Sequence, residues 1–384
     1  MLKQAGRVIT EFQMFGPKDQ SSQSNDLIVF VINRNQRSSP VLTDQNILCL
    51  DIGSGTQDVL YFMSGRELEN CPKFVLPSPA LGTAKRIEEL HRAGRSIYLY
   101  GRNMGGGFYR VLKKCLGQGL QAAIHPEAAY SLSDSMEAVK GMGLEISAHC
   151  PEGYAPVYLA DFDPGFWGSF LAQAGLSYPE MILACAQDHG FHPGASNRLG
   201  RFEIWKKFLL QSSGHVQRLI FSRPPAEMTR LISLKESIGA GFVADTGAAA
   251  LLGALFVPEV EELARNRGIC VVNVGNSHTI AFLVYQDRVH GILEHHTGLL
   301  DGQSLWEKLN LFKHGHLTNQ QVFDENGHGC LILDSALDHD FKPTFVLGPK
   351  RSMLQGFDVN FLCPGGDMML AGCFGLLKGY FLIR

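Results

Sequence analysis

The sequence predicts an α/β protein of two related halves, each a mixed sheet flanked by helices, around a central cleft. Three observations carry that expectation. Two stretches about 220 residues apart, 47-ILCLDIGSGTQDVLYF-62 and 269-ICVVNVGNSHTIAFLV-284, each read as an apolar strand, a Gly-containing polar turn and a second apolar strand. Between and after them, short β-rich runs alternate with helical patterns, which argues for α/β layers. Two small-residue helices, in 241-GFVADTGAAALLGALFVP-258 and 364-PGGDMMLAGCFGLLKG-379, each follow an Asp-containing turn and suggest equivalent crossing elements, one per half.

Taken in order, residues 1–46 read as a poorly ordered N-terminal extension. They include the polar run 17-PKDQSSQSND-26, and only Leu27 to Ile32 is strand-like. They lack the basic start, apolar core and small-residue cleavage site of a secretory signal. After the first hairpin come strand candidates 73-KFVLP-77, 96-SIYLYG-101, 120-LQAAIH-125, 156-PVYLADF-162 and 180-EMILACAQ-187. Interleaved with them, 83-TAKRIEELHRAG-94, 106-GGFYRVLKKCLG-117 and 200-GRFEIWKKFLLQ-211 have helical periodicity, with Thr83 as an N-cap and Gly94, Gly117 and Gly214 at helix ends. The Pro-Pro segment 222-SRPPAEMTR-230 reads as a connecting loop. A second unit starts near Pro258 with the charged helix 259-EVEELARNRG-268, then the second hairpin, a short helix over 303–312 and the strand-like 343-PTFVLG-348. The expected division is lobe I from 47–257 plus 366–384, and lobe II from 258–365.

Composition narrows the function. The 384 residues suffice for two domains with sizeable cores, and 45% hydrophobic with 18% charged content fits an ordered globular chain. A net charge of −3 with scattered basic residues gives no electrostatic footprint for nucleic acid. The longest apolar run, Ala248 to Val257, falls short of a bilayer span and is broken by Gly253. Nine cysteines placed singly favour reduced thiols in a cytosol, hence a cytoplasmic protein. They form no cluster spacing, so neither an iron–sulfur cluster nor a thiolate zinc site is expected.

The chemistry sits in the turns. A strand running into a Gly-rich turn presents backbone N–H groups with no Cβ to hold an anion away, so two such turns facing each other would clamp a polyphosphate. Gly53, Ser54, Gly55 and Thr56 would supply donors from the first turn, and Gly275, Asn276, Ser277 and Thr279 from the second. Asp51, at the end of an apolar strand, is placed to hold hydrated Mg²⁺ against the phosphates, since Mg²⁺ needs only one or two carboxylates. The plainer alternative is a pair of core hairpins whose turn residues serve conformation, and Asp58 reads equally as a surface strand residue.

In order, these segments resemble the five nucleotide-site segments of the actin, sugar-kinase and Hsp70 ATPase superfamily. The resemblance places the first phosphate loop at 49-CLDIGSGTQD-58, the first connecting helix at 245-DTGAAALLGAL-255 and the second phosphate loop at 271-VVNVGNSHT-279. It places the adenosine loop, with Gly348, at 345-FVLGPKRSML-354, and the second connecting helix, after Gly365 and Gly366, at 365-GGDMMLAGCFGLL-377. It implies a ribonuclease H-like actin fold, an ATP·Mg²⁺ site and a metal role for Asp51. The second loop departs from the common pattern by carrying Asn273 where many members have Asp; an amide can contact a phosphate oxygen but is a poor general base. Closer still is a similarity to the DUF1786 family, whose members share the LDIGSGTQD, QDHG, DTGAAALLGAL and NVGNSHT-to-EHHTG segments. Members are sometimes labelled as related to pyruvate formate-lyase activating enzymes, a label to which the cysteine spacing lends no chemical support.

Two further features compete for a role. The stretch 101-GRNMGGGFYRVL-112, with Arg102, follows a strand and opens a helix, which suits either an anion or simply a tight turn. Histidines cluster in 187-QDHGFHPG-194, 294-EHHTG-298 and 324-DENGHG-329, giving His189, His192, Glu294, His295, His296, Asp324 and His328, with His278 in the second turn. None has the spacing of a zinc-binding helix. Asp188 ends an apolar strand, where sheet strands converge on a cleft, and is a candidate base towards a substrate hydroxyl. The resulting expectation is an ATP·Mg²⁺-binding phosphotransferase or ATP hydrolase acting with a small metabolite, without nucleic-acid or membrane partners and with homo-oligomerisation left open. The alternatives are a nucleotide or phosphometabolite sensor or assembly module without turnover, and a metal-dependent hydrolase centred on the histidines.

Overall fold

The computed structural model describes residues 45–193, 196–336 and 339–384. The predicted N-terminal extension lies outside the described residues except for Gln45 and Asn46. The first hairpin joins Asn46–Ile52 to Thr56–Met63, and both strands are apolar because both faces of the sheet are covered: Ile47 to Leu50 and Val59 to Tyr61 are fully buried. Lys73–Pro77 extends this meander on one side. On the other side Met181–Ala186 and then Gly241–Ala244 add in parallel, and the short Ile220–Phe221 closes the edge.

The second hairpin repeats the plan. Ile269–Val274 pairs antiparallel with His278–Tyr285, which pairs with Arg288–His296 and that with Gly329–Ile332; Thr344–Leu347 and Asn360–Phe361 add in parallel on the far side of Ile269–Val274. Two copies of one topology, an antiparallel meander whose first strand is extended by parallel strands, make the duplicated ribonuclease H-like plan of the actin-like ATPase fold.

Between Lys73–Pro77 and Met181–Ala186 the chain builds a third sheet, parallel throughout, in the order Glu145–Ile146, Ala122–Ile124, Ile97–Gly101, Ala155–Leu159. It has its own core of Ile87, Leu99, Phe108, Leu112 and Val157, among others. Strand alternation along the sequence gives no sign that these runs leave the first sheet. Three local expectations need correction. The helix assigned from Thr83 runs from Pro79 to Arg92, because Ser78 caps it, accepting from the Leu81 N–H, and Pro79 has the backbone angle of a first helical residue. The loop assigned to 222–230 ends at Met228, where the helix Thr229–Ile238 starts, and that helix buries Leu231, Leu234 and Ile238. Asp58 is not on the surface: it is 7% exposed.

The two small-residue helices, Thr246–Ala254 and Ala371–Leu382, pack directly on each other between the repeated sheets. Glycine makes the approach so close that a Cβ on Gly375 would stand 1.8 Å from the Ala249 carbonyl oxygen, and one on Gly253 2.2 Å from that of Ala371. Among the described residues, no helix is long and apolar enough to cross a membrane.

Candidate functional site

Both hairpin turns close with the same bond. The Gly53 N–H donates to the Thr56 carbonyl and the Gly275 N–H to that of His278, each at 2.9 Å. A Cβ would meet these carbonyls at 3.2 Å from Gly53 and 2.7 Å from Gly275, so the second turn in particular requires glycine. Registers Asp51↔Asp58 and Asn273↔Ile280 make Asp51 and Asn273 equivalent, each two residues before its turn glycine.

The turns open onto one cleft of about 340 Å³, within the range of small-molecule sites. Its lining includes Asp51, Gly53, Ser54 and Thr56 from the first turn, and Asn273, Gly275, Asn276, Ser277 and His278 from the second. Gly348, at the end of Thr344–Leu347, lines it too; its φ of +99° and its closeness to Asn273 Oδ1 suit glycine alone. Gly105, Gly106 and Gly107 enter from the inserted sheet, and Met368, Met369 and Gly372 from the start of the last helix.

Other expected residues are elsewhere. Gly55 and Thr279 are outside the lining, the buried Thr279 hydroxyl being paired with that of Thr297 at 3.0 Å. Gly365 and Gly366 have φ of +57° and +81° and serve the turn before the helix. Asp188 is 2% exposed, and its two carboxylate oxygens accept the Gly190 and Leu231 N–H groups, so it fixes the loop after its strand and does not face the cleft. Arg102 is paired with Glu236 at the surface. His192 packs its ring on Gly190 and Gly200, and Asp324 is exposed beside Gln320.

Asp51 and Asp58 are cross-strand neighbours on the cleft floor with little to compensate their charge. Burial, against a hydrogen bond from Cys185, pushes the Asp51 carboxyl up to about 6. Burial and the neighbouring Asp51 push Asp58 up to about 7, and its Oδ1 has no hydrogen-bond partner among the described residues.

Charged clusters that local sequence patterns did not reveal frame this floor. Arg201, 1% exposed on the helix Asn197–Gln211, bridges Asp245 at the cap of Thr246–Ala254 (2.9 Å) and Glu294 on the second sheet (3.1 Å), and Trp205 Nε1 donates to the same Glu294. Burial would raise Asp245, but Arg201 more than offsets it and holds the carboxyl below its usual range, whereas burial pushes Glu294 up despite Arg201. Arg230 grips Asp161 of the inserted unit bidentately at 2.7 and 2.9 Å and donates to the Gln187 carbonyl. The one available hint was Arg201 four residues before Trp205, a cation over a ring at helical spacing.

The histidines separate by strand alternation. Glu294, bonded to Arg201, and His296 share one face of their strand, while the intervening His295 is buried on the opposite face against Gly327. His278, His296 and His328 converge, with ring centroids 4.6 to 4.9 Å apart, and His189 lies 5.8 Å from His278. Burial depresses His189 to about 4, His278 to about 3 and His328 to about 2, so these imidazoles are neutral near pH 7.

A family model described as "Putative pyruvate format-lyase activating enzyme (DUF1786)" matches residues 104–353. Among curated proteins nothing matches. Among solved structures, the chain is similar to the ethanolamine utilization protein EutJ from Carboxydothermus hydrogenoformans at 11% identity, over 88% of this chain and 92% of that one, with a TM-score of 0.26. It is also similar to the apo psk41 ParM protein at 12% identity, over 89% and 98%, with a TM-score of 0.32. A third is the Aquifex aeolicus member of the Ppx/GppA family, at 9% identity over 88% and 89%, with a TM-score of 0.25.

Proposed function

The chain belongs to the DUF1786 family, and with that as premise we propose that its cleft binds ATP with Mg²⁺ and serves phosphoryl transfer to a small metabolite or ATP hydrolysis. The observation that supports this reading is the pair of equivalent turns, one from each repeated sheet, opening onto one cleft beside Asp51. The Gly53 and Gly275 N–H groups are engaged in closing their turns, so the donors to phosphate oxygens would be the remaining turn N–H groups and the side chains of Ser54, Thr56, Asn276 and Ser277, and the equivalent placement of the turns suits a chain of phosphates between them. The carboxylates fit a divalent cation: Asp51 and Asp58 are adjacent, largely buried and under-compensated, the condition a bound dication would relieve. Bound there, Mg²⁺ would neutralise charge developing on the transferred phosphoryl group.

The chain's own contribution is positioning. Gly372 leaves room for Asp51: a Cβ there would stand 2.1 Å from Asp51 Oδ2. Asn273 offers an amide to a phosphate or substrate oxygen from the opposite side. Arg201 and Arg230 line the cleft, with their charges already matched by Asp245, Glu294 and Asp161. A cytoplasmic setting, where ATP is abundant and single thiols stay reduced, belongs to the same proposal.

A second reading has its own support. With Asn273 in the second loop and Asp188 occupied by backbone N–H groups, neither residue supplies a general base, which favours a nucleotide sensor without turnover. Calorimetry and thermal shift with ATP, ADP and a non-hydrolysable analogue, each with Mg²⁺, test the proposal; ligand at 100 times its Kd should add about 2.7 kcal/mol. Saturable binding weakened in Asp51→Asn supports the clamp, and product formation separates enzyme from sensor. No shift with any nucleotide at millimolar concentration refutes it.

A further inference from the structure

Beside the second turn, three side chains meet that the phosphate clamp does not use. His278 opens the strand His278–Tyr285 and is directly opposed to His296 on the neighbouring antiparallel strand. His328 directly precedes Gly329–Ile332, the next strand over. One ligand nitrogen from each lies within 4.8 Å of the other two. We propose that His278, His296 and His328 form a binding site for one first-row transition-metal dication, separate from the Mg²⁺ at Asp51 and independent of whether the cleft takes ATP.

The second observation is an unmet demand. His278 Nε2 and both nitrogens of His328 are buried without a hydrogen-bond partner among the described residues. Buried polar atoms are rarely left so, and a missing ion is one of the few explanations. Three imidazoles without a thiolate match Zn²⁺, Co²⁺ or Ni²⁺, whereas Mg²⁺ and Ca²⁺ want oxygen ligands. Nitrogens bound at about 2.1 Å in a tetrahedron stand roughly 3.4 Å apart, and rotation of the rings about their broad terminal torsions supplies the contraction. The outer shell is present as well: the Gln187 side-chain amide nitrogen lies 2.9 Å from His278 Nδ1 and 3.4 Å from Glu294 Oε1, and the Gln187 main-chain carbonyl accepts from Arg230. Such a partner on the far nitrogen fixes ring orientation at metal sites; with the amide oxygen turned to Nδ1–H, at the expense of the longer contact to Glu294, Nε2 is free for the metal. Three protein ligands leave a coordination position open, and His278 lines the cleft.

The test uses the full chain, stripped with chelator and then titrated with Co²⁺ or Zn²⁺ alone, read by elemental analysis and by Co²⁺ ligand-field absorption. We expect about one equivalent of Co²⁺ with tetrahedral-type bands, displaced by Zn²⁺. His296→Ala and His328→Leu should each weaken binding by at least about 100-fold. His328→Leu should also melt, metal-free, no lower than the parent, because it removes two unpartnered nitrogens, whereas a purely structural histidine would lower it. Asp51→Asn should keep the full Co²⁺ stoichiometry, which separates this site from the clamp. Substoichiometric Co²⁺ in the parent chain, or undiminished binding in the doubly substituted chain, overturns the proposal.

Discussion

Replacing Gly375 by Ala tests how the two halves are held together. In an exposed helix this substitution stabilises by about 1 kcal/mol, because Ala has the better helix propensity. Gly375, however, faces Thr246–Ala254, and an added Cβ would stand 1.8 Å from the Ala249 carbonyl oxygen and 2.7 Å from the Gly253 nitrogen. Both obstacles are backbone, so no flexible side chain can swing away. An ordinary contact needs about 3.4 Å, and the helices therefore have to separate by more than an ångström along their crossing, well beyond the usual overpacked core, which costs about 1–3 kcal/mol. Against the propensity gain, the expected net loss is at least about 2 kcal/mol.

The assay is urea unfolding, with Gly168→Ala as control. Gly168 lies inside the helix Pro164–Gln173, and its Cβ would meet nothing within 4 Å. That variant should gain about 0.5–1 kcal/mol. A Gly375→Ala protein within about 0.5 kcal/mol of the parent, alongside a control that behaves as expected, would refute the close crossing.

The remaining predictions concern the cleft. Arg201→Met leaves Asp245 and Glu294 buried without their cation and should cost about 3–5 kcal/mol at neutral pH by urea unfolding, with a smaller deficit in acid, where the carboxyls take protons; an equal deficit at both pH values counts against the ion-pair account. Asp51 and Asp58 are raised to about 6 and 7, so their contribution is full below about pH 4 and is lost as pH rises through those values. Ligand-free protein should lose about 1–2 kcal/mol per carboxylate between pH 4 and 7.5, after allowance for solvent, and Asp51→Asn should flatten that slope. Gly372→Ala, whose Cβ would collide with Asp51 Oδ2 at 2.1 Å, should weaken Mg²⁺-dependent nucleotide binding at least about tenfold by calorimetry while the far-ultraviolet dichroism stays unchanged.

What the sequence reveals about this molecule is mainly what is local or repeated. Each hairpin is legible because strand, turn and strand are contiguous, and the match of Asp51 to Asn273 follows from aligning one copy with the other. The small-residue helices are legible because a run of Ala and Gly has few uses other than close approach. The inserted sheet is hidden because parallel strands pair through crossovers, and an apolar run does not say which sheet it joins. Asp58 is ambiguous until its cross-strand neighbour and cover are known. Asp245 and Glu294 lie 44 and 93 positions from Arg201, so no window of sequence contains the cluster. The histidines are half legible: alternation alone parts His295 from His296, but only the pairing of His278 with His296 brings in the second turn.

The buried charges also restrict how this cleft is able to move. Arg201, on a helix that packs against Arg288–His296 of the second sheet, pairs there with Glu294 and bridges to Asp245, which follows the first-sheet strand Gly241–Ala244; the three side chains are 1–2% exposed. Drawing them apart would strand a charge away from water at a cost of several kcal/mol, comparable with the energy that binding a small ligand supplies. Any closure of the cleft would therefore have to pivot about this link and the neighbouring helix crossing. The Arg230 clasp on Asp161 is more accessible, its arginine side chain being 16% exposed, and it ties in the unit that carries Gly105 to Gly107. A cation and a triphosphate would bring new charge to the cleft between these two links. Amide hydrogen exchange should accordingly show a strongly protected Gly247–Ala254 segment with and without ligand, and ligand-dependent protection concentrated in residues 53–56, 105–107 and 275–278. Equal slowing across the whole chain would mean that the ligand stabilises the fold globally, without a cleft movement of this kind.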